Sequence, residues 1–137
     1  MPGETDLAKL LSSLDPRLDD REFGYAIIPD DQPLPAGFRP LGLFHEEEGL
    51  TLIAPAAELA AAGIPALAGL ARLTMIVQSS LEAVGMTAAM ATALTKAGIS
   101  ANVVAAYHHD HIFVPWDRRD EAVAVLAALG QGGGTAS

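Results

Sequence analysis

The second half of the chain alternates short apolar runs with segments of helical spacing. Residues 73–78 are apolar and β-branched, which predicts a buried strand. A stripe with spacing i, i+3, i+4, i+7, i+8 and i+11 then predicts a helix that packs on one face, and Gly98 predicts its end. The stripe consists of Met86, Ala89, Met90, Ala93, Leu94 and Ala97.

Two further apolar segments follow, at residues 101–107 and 111–114, with only three residues between them. This spacing predicts an antiparallel hairpin. A last helix is expected after Asp117, which we take as its N-cap, and Gly130 is expected to end it. Strand, helix, strand, strand and helix in this order predict the βαββα core of a ferredoxin-like α+β fold, an antiparallel sheet with helices on one face.

The first half is less regular, and its pattern predicts a second, similar arrangement. The predicted elements are a short helix at 7–14, a strand at 23–28, a hairpin of 41–44 and 50–54 around residues 46–49, and a short helix at 56–62. We therefore expect an N-terminal half at 1–65, a C-terminal domain at 66–130 joined through residues 66–71, and a flexible tail at 131–137. Because the second half lacks a last strand, residues 23–28 or 50–54 are expected to complete its sheet.

Composition narrows the functional classes. Half of the residues are hydrophobic and none is cysteine, which predicts a folded chain without disulfides or thiolate chemistry. The net charge of -9 argues against nucleic acid as a partner, because phosphate binding needs a cationic face. No apolar run approaches about 20 residues, and the N-terminal segment is acidic rather than basic, so we expect a cytoplasmic protein with no membrane partner.

Candidate chemistry outside ligand binding is sparse. The chain has no phosphate-binding loop, no dinucleotide-binding glycine turn and no serine nucleophile elbow, so no enzyme activity and no cofactor are expected. Glu46, Glu47 and Glu48 are interpreted as a solvated hairpin tip. The segment from His108 to His111 invites a metal hypothesis, but alternation along a strand places His109 and His111 on one face and His108 and Asp110 on the other, so no metal site is expected. A weaker enzyme hypothesis pairs Glu82 or Asp110 with a histidine.

Four segments resemble a known family. They are residues 46–52, 79–86, 97–104 and 107–115, and they resemble small bacterial ACT-domain proteins that carry two ACT-like halves in one chain. They are also similar to modules of the eukaryotic cytosolic arginine sensors. The resemblance implies a regulatory protein that binds an amino acid or a similar small ligand at an interface between modules, as a homodimer whose state is read by an effector protein.

The resemblance also implies where the ligand lies: against the loop from the first strand to the first helix and the edge of the next strand. The implied residues are Ser79, Ser80, Leu81, Glu82, Val84, Gly85, Met86, Thr87, Asn102, Val103, Val104, Tyr107 and Asp110. N–H groups at the helix start suit a carboxylate, and Glu82 or Asp110 suits an ammonium group.

Each implied residue also has a structural interpretation. Ser79 and Ser80 can cap a turn, Asp110 can close the hairpin, and Tyr107 can belong to the core or to an interface. The alternative function is accordingly an interaction or dimerisation module that has no physiological ligand.

Overall fold

The computed structural model describes residues 14–76 and 85–132. The strands are β1 (Asp15–Ile28), β2 (Gly42–Glu46), β3 (Gly49–Pro55), β4 (Leu67–Ile76), β5 (Asn102–Ala105) and β6 (Asp110–Pro115). The helices are α1 (Ala56–Ala61), α2 (Met86–Lys96) and α3 (Arg119–Gly132), with a 3-10 turn at Trp116–Arg118 before α3. The predicted α+β fold, an antiparallel sheet with helices in a ferredoxin-like arrangement, is confirmed.

The chain divides into two compact units whose boundaries fall inside strands. The central unit is residues 20–71, and the terminal unit consists of the described residues of 1–19 and 72–137. Each unit therefore contains a part of β1 and a part of β4. The predicted boundary at residue 65 divides the sequence into halves, whereas these units group residues that are close in space. The sequence boundary therefore stays a prediction.

Both units have the same strand order. In the central unit the order is β2-β3-β1-β4, and in the terminal unit it is β5-β6-β4-β1. Counted along the ferredoxin-like motif, each order is second, third, first and fourth strand. β1 is thus the first strand of one motif and the last of the other, and β4 has the converse pair of roles. Strand β1 of the first half does complete the sheet of the terminal unit, but it does so through residues 15–19. The predicted segments 23–28 and 50–54 were the wrong ones, since they belong to the central unit and pair with each other.

The core of the central unit lies on the side of the sheet that α1 covers. Ala26, Leu52 and Ala54 pack with Leu59 of α1, and the proline-rich loop at 29–41 adds Leu34 and Phe38. Register explains the grouping, because Ala26 pairs with Leu52 and the side chains of paired residues share a face. The loop at 29–41 therefore occupies the position of the first helix of a ferredoxin-like motif, and its Leu34 and Phe38 side chains pack against the core.

The core of the terminal unit follows the predicted helical stripe. Met86, Met90 and Leu94 of α2 are buried, as are Ala122 and Leu126 of α3. Helix α2 ends as expected, because Gly98 has a φ of 73° and the N–H of Ile99 donates to the carbonyl of Leu94 at 2.9 Å.

Four local predictions differ from the structure. Strand β1 begins eight residues before the predicted start at 23, and the predicted joint at 66–71 is strand from Leu67 onward. Asp117 is not the N-cap of α3, because it lies within the 3-10 turn that precedes the helix. That turn begins after Pro115, whose backbone is extended, and no side chain of the described residues caps it. Helix α3 continues through Gly130 to Gly132. Residues 7–13 of the predicted opening helix lie outside the described residues.

Candidate functional site

The residues implied by the resemblance lie in two places in the terminal unit. Gly85, Met86 and Thr87 form the start of α2, and Asn102, Val103 and Val104 belong to β5, next to Tyr107 and Asp110 of the β5–β6 hairpin. The remaining residues, Ser79, Ser80, Leu81, Glu82 and Val84, lie outside the described residues.

Topology brings the two places to the same end of the sheet. Strands β5 and β6 are antiparallel, and the sheet as a whole is antiparallel, so β4 and β5 run in the same direction. The chain leaves β4 toward α2 at the end where β5 turns into the hairpin. The carboxyl end of β4, which precedes α2 in the chain, and the tip of the hairpin therefore lie at the same end of the sheet.

The start of α2 offers backbone donors rather than side chains. Gly85 has a φ of 94°, a left-handed conformation that favours glycine, and no side chain caps the helix. Since the first N–H groups of a helix have no partner within it, they can hold an anion. The side chain of Met86 is buried in the core, so this residue contributes its backbone only, and Thr87 is exposed.

Strand β5 is the outer strand of the terminal unit. Asn102 pairs with Phe113 and Val104 pairs with His111, so these four side chains share a face, while Val103 lies on the other face with Ile112. Asp110 pairs with Ala105 at the hairpin end and is half-buried. Tyr107 is 95% exposed and contacts the His108 ring edge-on at 4.9 Å between centroids, so it does not belong to the core formed by the described residues.

A polar network that the sequence did not predict lies on the terminal unit's sheet. Arg72 of β4 forms an ion pair of 3.2 Å with Asp19 of β1, and its Nε donates to Nδ1 of His111 at 3.3 Å. The hydroxyl of Thr74 lies 3.2 Å from the same nitrogen. Both side chains of the ion pair are only 16% exposed. One signal in the sequence pointed to this network: Arg72 is the single charged residue of β4.

Electrostatics in this network favour a neutral imidazole. Burial lowers the pKa of His111 below its ordinary value of 6.5, the Arg72 guanidinium and His109 lower it further, and the Asp110 carboxylate opposes them. Nδ1 of His109 is buried and has no hydrogen-bond partner among the described residues. The predicted sharing of a face by His109 and His111 is consistent with their electrostatic interaction. Within residues 14–76 and 85–132, no three metal-ligating side chains come together.

The neutral preference of His111 predicts an acid-sensitive stability. Because its folded pKa is lowered, the unfolded chain binds more protons as pH falls below 6.5, so this contribution is full above 6.5 and is lost below it. We expect the free energy of unfolding, measured by urea denaturation from pH 7.5 to 5, to fall less steeply in His111→Gln than in the parent. His108→Gln changes an exposed turn residue and is expected to keep the parent slope; an equal flattening in both variants would contradict the assignment.

Comparison with known proteins identifies the family of this chain. Two sequence profiles of the ACT domain match the chain, one over residues 2–70 and the other over residues 68–128. The chain belongs to the ACT-domain family. The resemblance to proteins with two ACT halves in one small chain is thereby confirmed.

Solved structures share the fold of this ACT-domain chain over most of its length. A Vibrio cholerae protein of unknown function, described as a possible transport protein, is 37% identical, with a TM-score of 0.84 over 94% of this chain and 99% of its own. An Agrobacterium tumefaciens protein is 16% identical, with a TM-score of 0.72 over 85% and 89%. The ligand-free regulatory subunit of aspartate kinase from Thermus thermophilus is 14% identical, with a TM-score of 0.59 over 83% and 96%.

No protein of curated function matches this ACT-domain chain. Among the helices of the described residues, none has the length and hydrophobicity to cross a membrane.

Proposed function

We propose that this chain is a regulatory, non-catalytic ACT-domain protein that binds an amino acid or a similar small ligand as a cytoplasmic homodimer. The ligand lies where the start of α2 meets the edge of β5, at the seam between two copies. The observation that carries the proposal is the placement of helix donors, the open strand edge and Asp110 at one end of the terminal unit. A ligand seated there orders both copies, and an effector protein reads the change in their arrangement.

The chemistry of the two places suits an α-amino acid. The first N–H groups of α2 and the positive end of its dipole favour a carboxylate. The Asp110 carboxylate, half-buried at the hairpin, can accept hydrogen bonds from an ammonium group. Tyr107 is available to a second copy because it is almost fully exposed. A cationic ligand side chain is compatible with this aromatic residue.

Thermal unfolding against the twenty amino acids tests the proposal, with assembly mass followed by sedimentation. We expect one or a few amino acids to raise the melting temperature in a concentration-dependent way. Binding to the native state alone adds about 2.7 kcal/mol at a free ligand concentration of about 100 times Kd. A flat response to all twenty at millimolar concentration, with an unchanged assembly mass, would favour the interaction module instead.

Substitution of Asp110 is the sharpest single change at this site. Asp110→Ala is expected to abolish the ligand-induced rise in melting temperature because the ammonium group loses its acceptor. The measurement belongs at pH 7.5, where the lowered pKa of His111 keeps that imidazole neutral in both proteins. Asp120→Ala, an exposed change in the first turn of α3, is the matched control and is expected to keep the full rise. A full rise in Asp110→Ala would remove this residue from the site.

A further inference from the structure

The central unit has an open groove on the sheet face opposite α1. Its volume is about 650 Å³, within the range of small-molecule sites. Tyr25 and Ile27 of β1 line it, and they alternate with Ala26 and Ile28, whose side chains are buried in the core on the α1 side. The groove is therefore built on the sheet face opposite the cluster that packs against α1.

Strand register explains why this face is concave. Thr51 of β3 pairs with Ile27 on one side and with Phe44 of β2 on the other, so the three side chains form one row across the sheet. The small residue in the middle stands between two large ones. Leu67, at the start of β4, adds a further wall.

The walls of the groove are apolar and in contact with water. Ile27 is 52% exposed, Phe44 is 54% exposed and Leu67 is 80% exposed. Exposed apolar side chains that converge on one cavity differ from the scattered ones of an ordinary surface, and covering them is favourable. The shape and the walls together favour an occupant with an apolar body.

The polar groups of the groove determine the charge of the occupant. Glu46 is its carboxylate, and the Thr51 hydroxyl donates a hydrogen bond to Oε1 of Glu46, which holds that carboxylate beside the row of Ile27, Thr51 and Phe44. No lysine or arginine of the described residues lines the groove. His45 also borders the groove, but it alternates with Phe44 and Glu46 along β2, so its side chain is directed to the other face of the sheet. An ammonium group in the groove would gain a charge-assisted hydrogen bond to Glu46.

We propose that this groove binds a primary amine with an apolar body, with its ammonium group on Glu46 and its body between Ile27, Phe44 and Leu67. A zwitterionic amino acid would leave its carboxylate without a cation in this groove. The site is therefore distinct from the amino-acid site at α2 and β5 and does not depend on it. Its ligands are aryl or branched alkyl amines that lack a free carboxylate.

Calorimetric titration of the full chain with three matched probes tests the proposal. The probes are 2-phenylethylamine, the uncharged 2-phenylethanol and the anionic 3-phenylpropionate. We expect saturable binding of the amine with a Kd of about 1 mM, as suits a ligand of this size, weaker binding of the alcohol, and none of the anion. Absence of saturation at about 10 mM amine, or equal affinity for amine and alcohol, would overturn the proposal.

Variants assign the binding to the two parts of the groove. Glu46→Gln keeps an acceptor for Thr51 and is expected to weaken amine binding about tenfold while leaving the alcohol unchanged. Glu48→Gln removes a neighbouring exposed charge that does not line the groove, and is expected to leave both affinities unchanged. Equal losses in the two variants would show a general charge effect and overturn the role of Glu46.

The apolar wall has its own matched pair. Leu67→Ser is expected to weaken the amine and the alcohol alike, whereas Leu41→Ser alters an exposed leucine outside the groove and is expected to change neither. Both leucines are exposed, so folding is retained. If Leu67→Ser lowers only the sedimentation mass and leaves amine affinity intact, the face is a contact between copies and the amine site is wrong.

Discussion

Arg72→Ala is expected to lower the free energy of unfolding by about 2–4 kcal/mol, because it removes the cation from a nearly buried ion pair. Arg72 joins Asp19 of β1 to His111 of β6 across β4, with the distances of 3.2 and 3.3 Å given above. Its removal leaves the Asp19 carboxylate, only 16% exposed, without this guanidinium. Urea denaturation at pH 7.5 measures the loss.

A control is available in β1, the strand of Asp19. Arg17 pairs with Asp15 at 3.1 Å, but the arginine side chain is 68% exposed and the pair is solvated. Arg17→Ala is therefore expected to cost less than about 1 kcal/mol. Equal losses in the two variants would mean that burial of the Arg72 network contributes nothing special. Arg72→Lys is expected to fall between parent and alanine, because an ammonium cannot bond both partners as a guanidinium does.

Gly49→Ala is expected to destabilise the central unit by about 2–4 kcal/mol, through strain and a direct clash. Gly49 begins β3 with a φ of 150°, and a Cβ there would lie 2.6 Å from the carbonyl oxygen of Ile28. That oxygen belongs to the backbone of β1, so the clash cannot be relieved by a side-chain rotation. The loss of unfolding free energy is measured by urea denaturation.

Gly42→Ala serves as the matched control for the hairpin. A Cβ at Gly42 would meet Cδ1 of Ile53 at 3.5 Å, which is an ordinary contact, and its φ is not in the left-handed region. We expect a change smaller than about 1 kcal/mol in either direction. If Gly49→Ala is as mild as Gly42→Ala, the turn between β2 and β3 relaxes and the close approach to β1 does not constrain it.

Elements with a strong local pattern were predictable from the sequence. The α2 stripe and Gly98 predict a helix that the structure places at Met86–Lys96. The turn residues that end at Gly49 predict the hairpin of β2 and β3. Local periodicity and turn chemistry determine these elements. The ferredoxin-like fold could therefore be predicted without knowledge of any tertiary contact.

Strands that depend on long-range pairing were not predictable. Residues 15–22 are rich in charge and show no apolar alternation, yet they form the first part of β1. Their partner is β4, more than fifty positions away, and the Asp19–Arg72 ion pair between the two strands has no local signal. The sharing of β1 and β4 by the two motifs could not be predicted for the same reason. Each of these strands completes the motif of the other half through pairing that is distant in sequence.

The candidate site was predictable in outline only. The resemblance indicated the start of α2 and the strand β5, and the topology places the exit of β4 and the end of β5 at the same end of the sheet. The α2 stripe predicted that Met86 packs inward, but the sequence did not show that Tyr107 points to solvent, because that depends on tertiary packing. The groove of the central unit was not predicted, since it arises from the register of three strands.

Hydrogen exchange on the full chain, with and without the amino acid that stabilises it, tests the central claim most directly. The proposal predicts slower exchange of amides at the start of α2, residues 85–87, and along β5, residues 102–105, because the ligand and the second copy cover them together. Protection should disappear in Asp110→Ala and persist in Asp120→Ala. Protection confined to β2, at Gly42–Glu46, or no change at α2 and β5 despite ligand stabilisation, would contradict a ligand site at this seam.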